Sequence, residues 1–156
     1  MSSVGAPKTP ALDAAGLRIA IVASSWHDHV MNSLISGSSS YLSKAQAELE
    51  VFRVPGSFEL PLGAKLAFKQ GFDAVVALGL VLRGDTPHFD YVCAGVTSGL
   101  MQLMLESNKP IGFGVLTCDT EAQALARSGL PGSDSNKGIE AAHAALAMAL
   151  LKRELN

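Results

Sequence analysis

Two kinds of segment alternate along almost the whole chain, and no other feature limits the possible folds as strongly. Short apolar runs rich in β-branched residues are followed by longer stretches whose apolar residues recur every three or four positions. Arg18–Ser24 is continuously apolar from Ile19 to Ala23, the character of a strand buried on both faces. Residues 27–47 follow, with Val30, Leu34, Ile35, Tyr41 and Leu42 at helical spacing. Residues 49–54 read as a second strand and 58–70 as a helix. Pro61 falls in that helix's first turn, where a missing N–H costs little, and Gly71 falls where a helix C-terminal cap belongs. Residues 73–82 are a strongly apolar third strand. His88–Ser107 carries Phe89, Val92, Cys93, Val96, Leu100, Leu103 and Met104 as one stripe. Residues 111–116 read as a fourth strand and 120–127 as a short helix. A turn-rich loop over 130–136 leads to a last long helix, Lys137–Leu155. The repetition predicts one α/β domain over 17–156, with helices on both faces of a four-stranded, mostly parallel sheet in three αβα layers. Residues 1–16, rich in Ser, Pro and Ala and without period, are expected to form a flexible N-terminal arm.

The chain has 156 residues, enough for one domain, and 48% are hydrophobic, ample for a core. Charged residues make up only 17% and the net charge is −2, so no basic field exists to grip a nucleic-acid backbone. No apolar run approaches the roughly 20 residues needed to cross a bilayer. Residues 1–15 lack the basic segment and apolar core of a signal peptide, and a cytoplasmic location is expected. Cys93 and Cys118 have no metal-type spacing and read as buried free thiols. A small domain this apolar is expected either to pack as a monomer or to bury part of its outside against copies of itself.

In open parallel sheets ligands bind beyond the carboxyl ends of the strands, and the unusual residues of this chain fall in those loops. After the first strand comes Ser24-Ser25-Trp26-His27 with the single Trp, either a packed rim residue or a stacking surface for a heteroaromatic ring. His27 and His29 form an H-x-H pair, weak as a metal signal, and they read as solvent-facing. After the second strand, Gly56-Ser57-Phe58-Glu59-Leu60-Pro61 lets backbone approach a ligand and leaves helix N-terminal amides unpaired. Glu59 suits either a ligand or the helix dipole. After the third strand, Arg83-Gly84-Asp85-Thr86-Pro87-His88 combines a Gly, a hydroxyl and a helix N-terminus, the parts of a phosphate cradle. It is not a Walker A loop, because no Lys follows at the required spacing. The positive end of a helix disfavours imidazolium, so a neutral His88 able to act as a general base is expected; a capping or solvated His is the alternative. Residues 117–121 look like helix capping, and Arg127 suits a helix C-terminus. Lys137 opens the last helix, against the dipole, a local conflict that points toward function.

Taken together these loops resemble the lumazine synthase family. Gly56-Ser57-Phe58-Glu59-Leu60-Pro61 and the stretch from Gly79 through Arg83-Gly84-Asp85-Thr86-Pro87-His88 to Asp90 look like that family's two hallmark stretches. Gly114 to Thr117, Glu121 to Arg127 and Asn136-Lys137-Gly138 fall in the family's order, so the resemblance covers about residues 17–155. It implies a flavodoxin-like fold and a condensation of 5-amino-6-(D-ribitylamino)uracil with 3,4-dihydroxy-2-butanone 4-phosphate, by way of an imine, with loss of phosphate and water. By the family pattern Trp26 stacks on the pyrimidine, and Ser57, Phe58 and Glu59 hold the ribityl chain. Leu80, Val81 and Leu82 meet the pyrimidine edge. Asp85, Thr86 and Arg127 bind the phosphate, and His88 moves protons. Phe113 covers the ring from an adjacent subunit, with Lys137 nearby. The amine arrives with the substrate, so the resemblance implies no cofactor, no metal and no nucleophilic side chain. It implies a homo-oligomer, a pentamer or a capsid of pentamers.

Two departures bear on those expectations. The family often has Phe-Asn where this chain has Trp26-His27. Residues 131–136 lack the Gly-Lys-rich turn associated with sixty-subunit capsids, which favours a lone pentamer. The competing readings are an archaeal-type riboflavin synthase, a non-catalytic flavin or lumazine carrier, and a generic flavodoxin-like nucleotide binder. The His88 loop and Glu59 weigh against the first. The phosphate residues weigh against the second, since a carrier needs none. The paired motifs weigh against the third.

Overall fold

The computed structural model describes residues 4–8 and 11–156. Four strands, β1 (Arg18–Ser24), β2 (Glu48–Val54), β3 (Ala74–Leu82) and β4 (Ile111–Cys118), form one sheet in the order β2-β1-β3-β4. Every pairing is parallel, so the mostly parallel sheet expected from the sequence is wholly so. The helices are α1 (Asp28–Lys44), α2 (Leu60–Lys69), α3 (His88–Ser107), α4 (Glu121–Leu125) and α5 (Lys137–Leu155). The two central strands explain the continuous apolar runs. Ile19 to Ala23 of β1 and Ala74 to Leu78 of β3 are fully buried, because helices cover both faces. One core lies under α1 and α5 and contains Ile19, Ile21, Val76 and Leu78. The other lies under α2 and α3 and contains Ala20, Val22, Val75 and Ala77. Side chains alternate between the two cores along each strand, which fixes register.

Several boundaries differ from the sequence reading. β4 runs two residues further than residues 111–116, because Thr117 and Cys118 continue the pairing with Val81 and Leu82. Residues 57–59 form a separate 3-10 turn before α2. The Glu59 N–H donates to the Gly56 carbonyl at 3.3 Å, and the Gly56 N–H donates to the Glu59 carboxylate at 2.9 Å, which tightens that turn. Cys118 is buried, but Cys93 is only half-buried, because it lies at the flank of the α3 stripe whose centre, Phe89, Val96 and Leu100, meets the sheet. Gly71 has φ +86°, the left-handed residue that ends α2, and Asn108 does the same for α3 at φ 52°. Of the arm expected over 1–16, residues 1–3 and 9–10 lie outside the described residues. Leu12 and Ala14 pack on the core, and the Ala14 N–H donates to the Ala45 carbonyl at 2.7 Å.

Two glycines of β4 set the distance between sheet and helix. A Cβ on Gly112 would strike the Ala141 carbonyl of α5, and one on Gly114 would reach Leu78 Cδ2 at 2.5 Å and Ala141 Cβ at 3.1 Å. α5 therefore rests almost directly on β4, and its first residue, Lys137, is carried to the edge of that strand. Gly112→Ala should destabilise the fold by about 1–3 kcal/mol through overpacking against backbone that cannot step aside. Denaturant unfolding checks this, and an unchanged midpoint would disprove the close contact.

Candidate active site

All four strands point the same way, so the loops after β1, β2 and β3 meet along one edge of the sheet. Trp26 is 66% exposed in the loop after β1. It lies beside Gly56, where a Cβ would sit 3.7 Å from the indole. The loop is tied to β2 at three points. The Ser25 hydroxyl donates to the Val54 carbonyl at 2.9 Å, and Arg53 donates to the Ser24 carbonyl and the Asp28 carboxylate, each at 2.9 Å. These ties hold His27 at φ 57°, an uncommon conformation for a residue with a side chain and one that functional loops tend to carry. Trp26 is thus a projecting ring on an anchored loop and not a packed rim residue.

Below it, the Ser57 hydroxyl is buried and donates to the Leu80 carbonyl at 3.4 Å. Ser57 packs onto Gly79, where a Cβ would come 2.5 Å from its oxygen. That contact seats the turn after β2 on the end of β3. Phe58 is 61% exposed and lies across Gly95 of α3. The structure therefore brings Trp26, Ser57, Phe58, Glu59, Leu80, Val81 and Leu82 to one rim. The 83–88 loop continues from β3 on the same rim. Asp85, Thr86 and His88 are exposed there, and the Thr86 hydroxyl accepts the His88 N–H at 3.4 Å at the first turn of α3.

The remaining three expected residues are elsewhere. Phe113 pairs with Ala77 in mid-sheet, whereas Leu80 to Leu82 pair with Leu116 to Cys118. At 3.3 Å per residue, Phe113 lies about 10–17 Å back from the rim. It is 47% exposed on the open edge of β4. There it lines a cleft of about 710 Å³ with Thr117, Gln123, Arg127, Lys137 and Glu140, and none of the rim residues named above lines it. Arg127 donates to the Gln123 carbonyl at 2.8 Å, so it does close α4 as expected. Lys137 opens α5 against the dipole because Glu140 holds it, at 2.7 and 2.9 Å, in a half-buried ion pair. Asn136 caps the same helix end by accepting the Gly138 and Ile139 N–H groups. Sequence reasoning missed Glu140, Arg53, Asp119 and Gln123. Glu140, three residues from Lys137, and Gln123, four residues from both Asp119 and Arg127, left local traces at helical spacing.

A family model described as 6,7-dimethyl-8-ribityllumazine synthase matches residues 16–153. The chain belongs to that family. It is 54% identical to the 6,7-dimethyl-8-ribityllumazine synthase of Leifsonia xyli subsp. xyli, over 99% of both chains. It is 52% identical to that of Streptomyces coelicolor, over 100% of this chain and 98% of the relative, and 56% identical to that of Kocuria rhizophila, over 96% and 97%. Burial pushes both the Cys93 and the Cys118 thiol up from the ordinary range, so neither is poised as a thiolate. Iodoacetamide should therefore alkylate the native chain well below the rate of free cysteine at pH 7.5, with the rate still climbing above pH 9. Prompt stoichiometric alkylation at neutral pH would contradict this.

Proposed function

We propose that this chain condenses 5-amino-6-(D-ribitylamino)uracil with 3,4-dihydroxy-2-butanone 4-phosphate to give 6,7-dimethyl-8-ribityllumazine, releasing phosphate and water, as a cytoplasmic step of riboflavin biosynthesis. The observation that carries this reading is the meeting of the two hallmark loops on one sheet rim, with Trp26 projecting above them, in a chain of this family. Among the described residues no helix is long and apolar enough to cross a membrane.

In this reading Trp26 stacks on the pyrimidine and Leu80, Val81 and Leu82 border its edge. Ser57, Phe58 and Glu59 take the ribityl hydroxyls. The amides at Asp85 and Thr86, at the positive end of the 20-residue helix α3, take the phosphate together with Arg127. The substrate amine attacks the ketone and water leaves to give the imine; phosphate is eliminated, the resulting enol becomes a ketone, and the ribitylamino nitrogen attacks that ketone and closes the ring with loss of a second water. Each step needs proton movement beside the bound phosphate ester, the position His88 occupies. Orientation supplies most of the rate, because two small molecules held in register react with very large effective molarity.

Phe113, Arg127 and Lys137 lie on the open β4 edge, so they serve best the rim of a neighbouring copy. The exposed apolar residues Leu62, Leu66, Tyr91, Met101 and Leu105 of α2 and α3 support an assembly, and we read it as a pentamer. Mixing the two substrates should produce lumazine absorbance and fluorescence; no product would refute the reading. His88→Ala should lower turnover by about 10²–10⁴-fold without abolishing it, and an unchanged rate would remove His88 from the mechanism. Sedimentation should give a particle of about 80 kDa, five times the 16.2 kDa chain. A fully active monomer would overturn the shared site, and a particle near a megadalton would replace the lone pentamer with a capsid.

A further inference from the structure

Arg83 is placed at the junction of three elements. Its N–H donates to the Cys118 carbonyl at 3.0 Å, which joins the ends of β3 and β4. Its Nε donates to Asp119 Oδ1 at 2.6 Å in the turn before α4, and its Nη1 to Asp90 Oδ1 at 3.4 Å in the first turn of α3. Its guanidinium carbon lies 4.2 Å from the centroid of the Phe89 ring. The Asp119 hydrogen bond holds the guanidinium further toward its charged form than usual. From Asp119 the connections continue. The Asp119 N–H donates to Gln123 Oε1 at 2.8 Å, the Gln123 N–H to the Thr120 hydroxyl at 3.3 Å, and Arg127 Nη1 to the Gln123 carbonyl at 2.8 Å.

The charge balance of this cluster decides what Arg83 can do. One guanidinium faces two carboxylates, so the group is net negative and does not attract a phosphate. Its fork and stacking instead define a geometry. We propose that Arg83 is a positioning residue: it clamps the 83–88 loop to α3 and to the turn after β4, and through Asp119 and Gln123 it fixes the helix that carries Arg127. This rests on the reading of the preceding subsection, in which the loop amides and Arg127 handle phosphate. Exposed ion pairs add little stability, so the clamp acts on precision of binding and leaves the fold nearly indifferent.

Asp119 makes the idea testable, because positioning and simple electrostatics predict opposite signs. Removing its negative charge favours an approaching phosphate electrostatically, whereas losing the clamp weakens phosphate binding. Full-length Arg83→Lys and Asp119→Ala are compared with the unsubstituted chain, using both substrates and inorganic phosphate as a competitive inhibitor. The KM for the butanone phosphate and the inhibition constant of inorganic phosphate should each rise about fivefold in both variants, while the KM for the uracil stays within about twofold, in keeping with an exposed ion pair. The thermal midpoint should hardly move. Asp119→Ala binding phosphate as tightly as the unsubstituted chain or more so would overturn the proposal. So would a lowered midpoint with both KM values unchanged, or equal rises in both KM values. If the unsubstituted chain forms no lumazine, the assigned reaction fails instead, and inorganic phosphate binding, read by calorimetry across the same variants, still decides the clamp.

Discussion

The burial of β3 between β1 and β4 is the constraint on which the rest depends. Each fully buried Val, Ile or Leu of these strands contributes about 1.5–3 kcal/mol of transfer free energy. Because the side chains alternate between two cores, a slip of one residue would move every one of them to the wrong side. Register is therefore fixed, and with it the edge of the sheet on which each loop emerges. The turn with Ser57, Phe58 and Glu59 is seated on Gly79 of the same strand. The 83–88 loop is its direct continuation. A rigid strand thereby places two chemically distinct loops side by side without either needing to be rigid in isolation.

The same sheet separates the expected site into two parts. Phe113 cannot swing to the rim, because its backbone is held by the ladder with β3. Arg127 and Lys137 are held to the β4 side by helix ends that have their own partners, Gln123 for one and Glu140 for the other. A single chain therefore carries one group of the expected residues at its rim and another along its open edge. In the pentamer proposed above, a head-to-tail contact would bring each rim to the next chain's edge.

Most of the fold was legible in the sequence, for a plain reason. A strand buried on both faces must be apolar throughout, and a helix against a sheet must repeat its apolar residues every three or four positions. β1 and α3 follow those patterns closely, and β1, α3 and α5 have the boundaries the sequence suggests. The edges were harder to read. β2 is largely exposed and opens with Glu48, and the end of the β4 ladder includes the exposed Thr117 just before Cys118, so composition stops signalling a strand before the hydrogen bonds do. The loop motifs were legible as places and as residue types. Their supports were not, because Arg83 finds Asp119 36 residues away and Arg53 finds Ser24 29 residues away. Such contacts exist only once the sheet has formed, and nothing local announces them. The resemblance identified the residues that would touch substrate and was silent about those that hold them in place.

That division between touching and holding matters more here than in an enzyme with a reactive side chain. Desolvation holds both thiols away from thiolate character, and the attacking amine belongs to a substrate. Little remains for the protein to supply except orientation and a proton path. An error of an ångström in loop placement is then costly, whereas the loss of any one contact to substrate is partly covered by the others. The two arginines bonded to loop carbonyls and carboxylates, Arg53 behind Trp26 and Arg83 behind the 83–88 loop, meet that demand in the same way. Each fixes an exposed loop to neighbouring strands and helices. Neither adds much to folding stability, so their value must lie in the narrower range of positions they leave to the loops they hold.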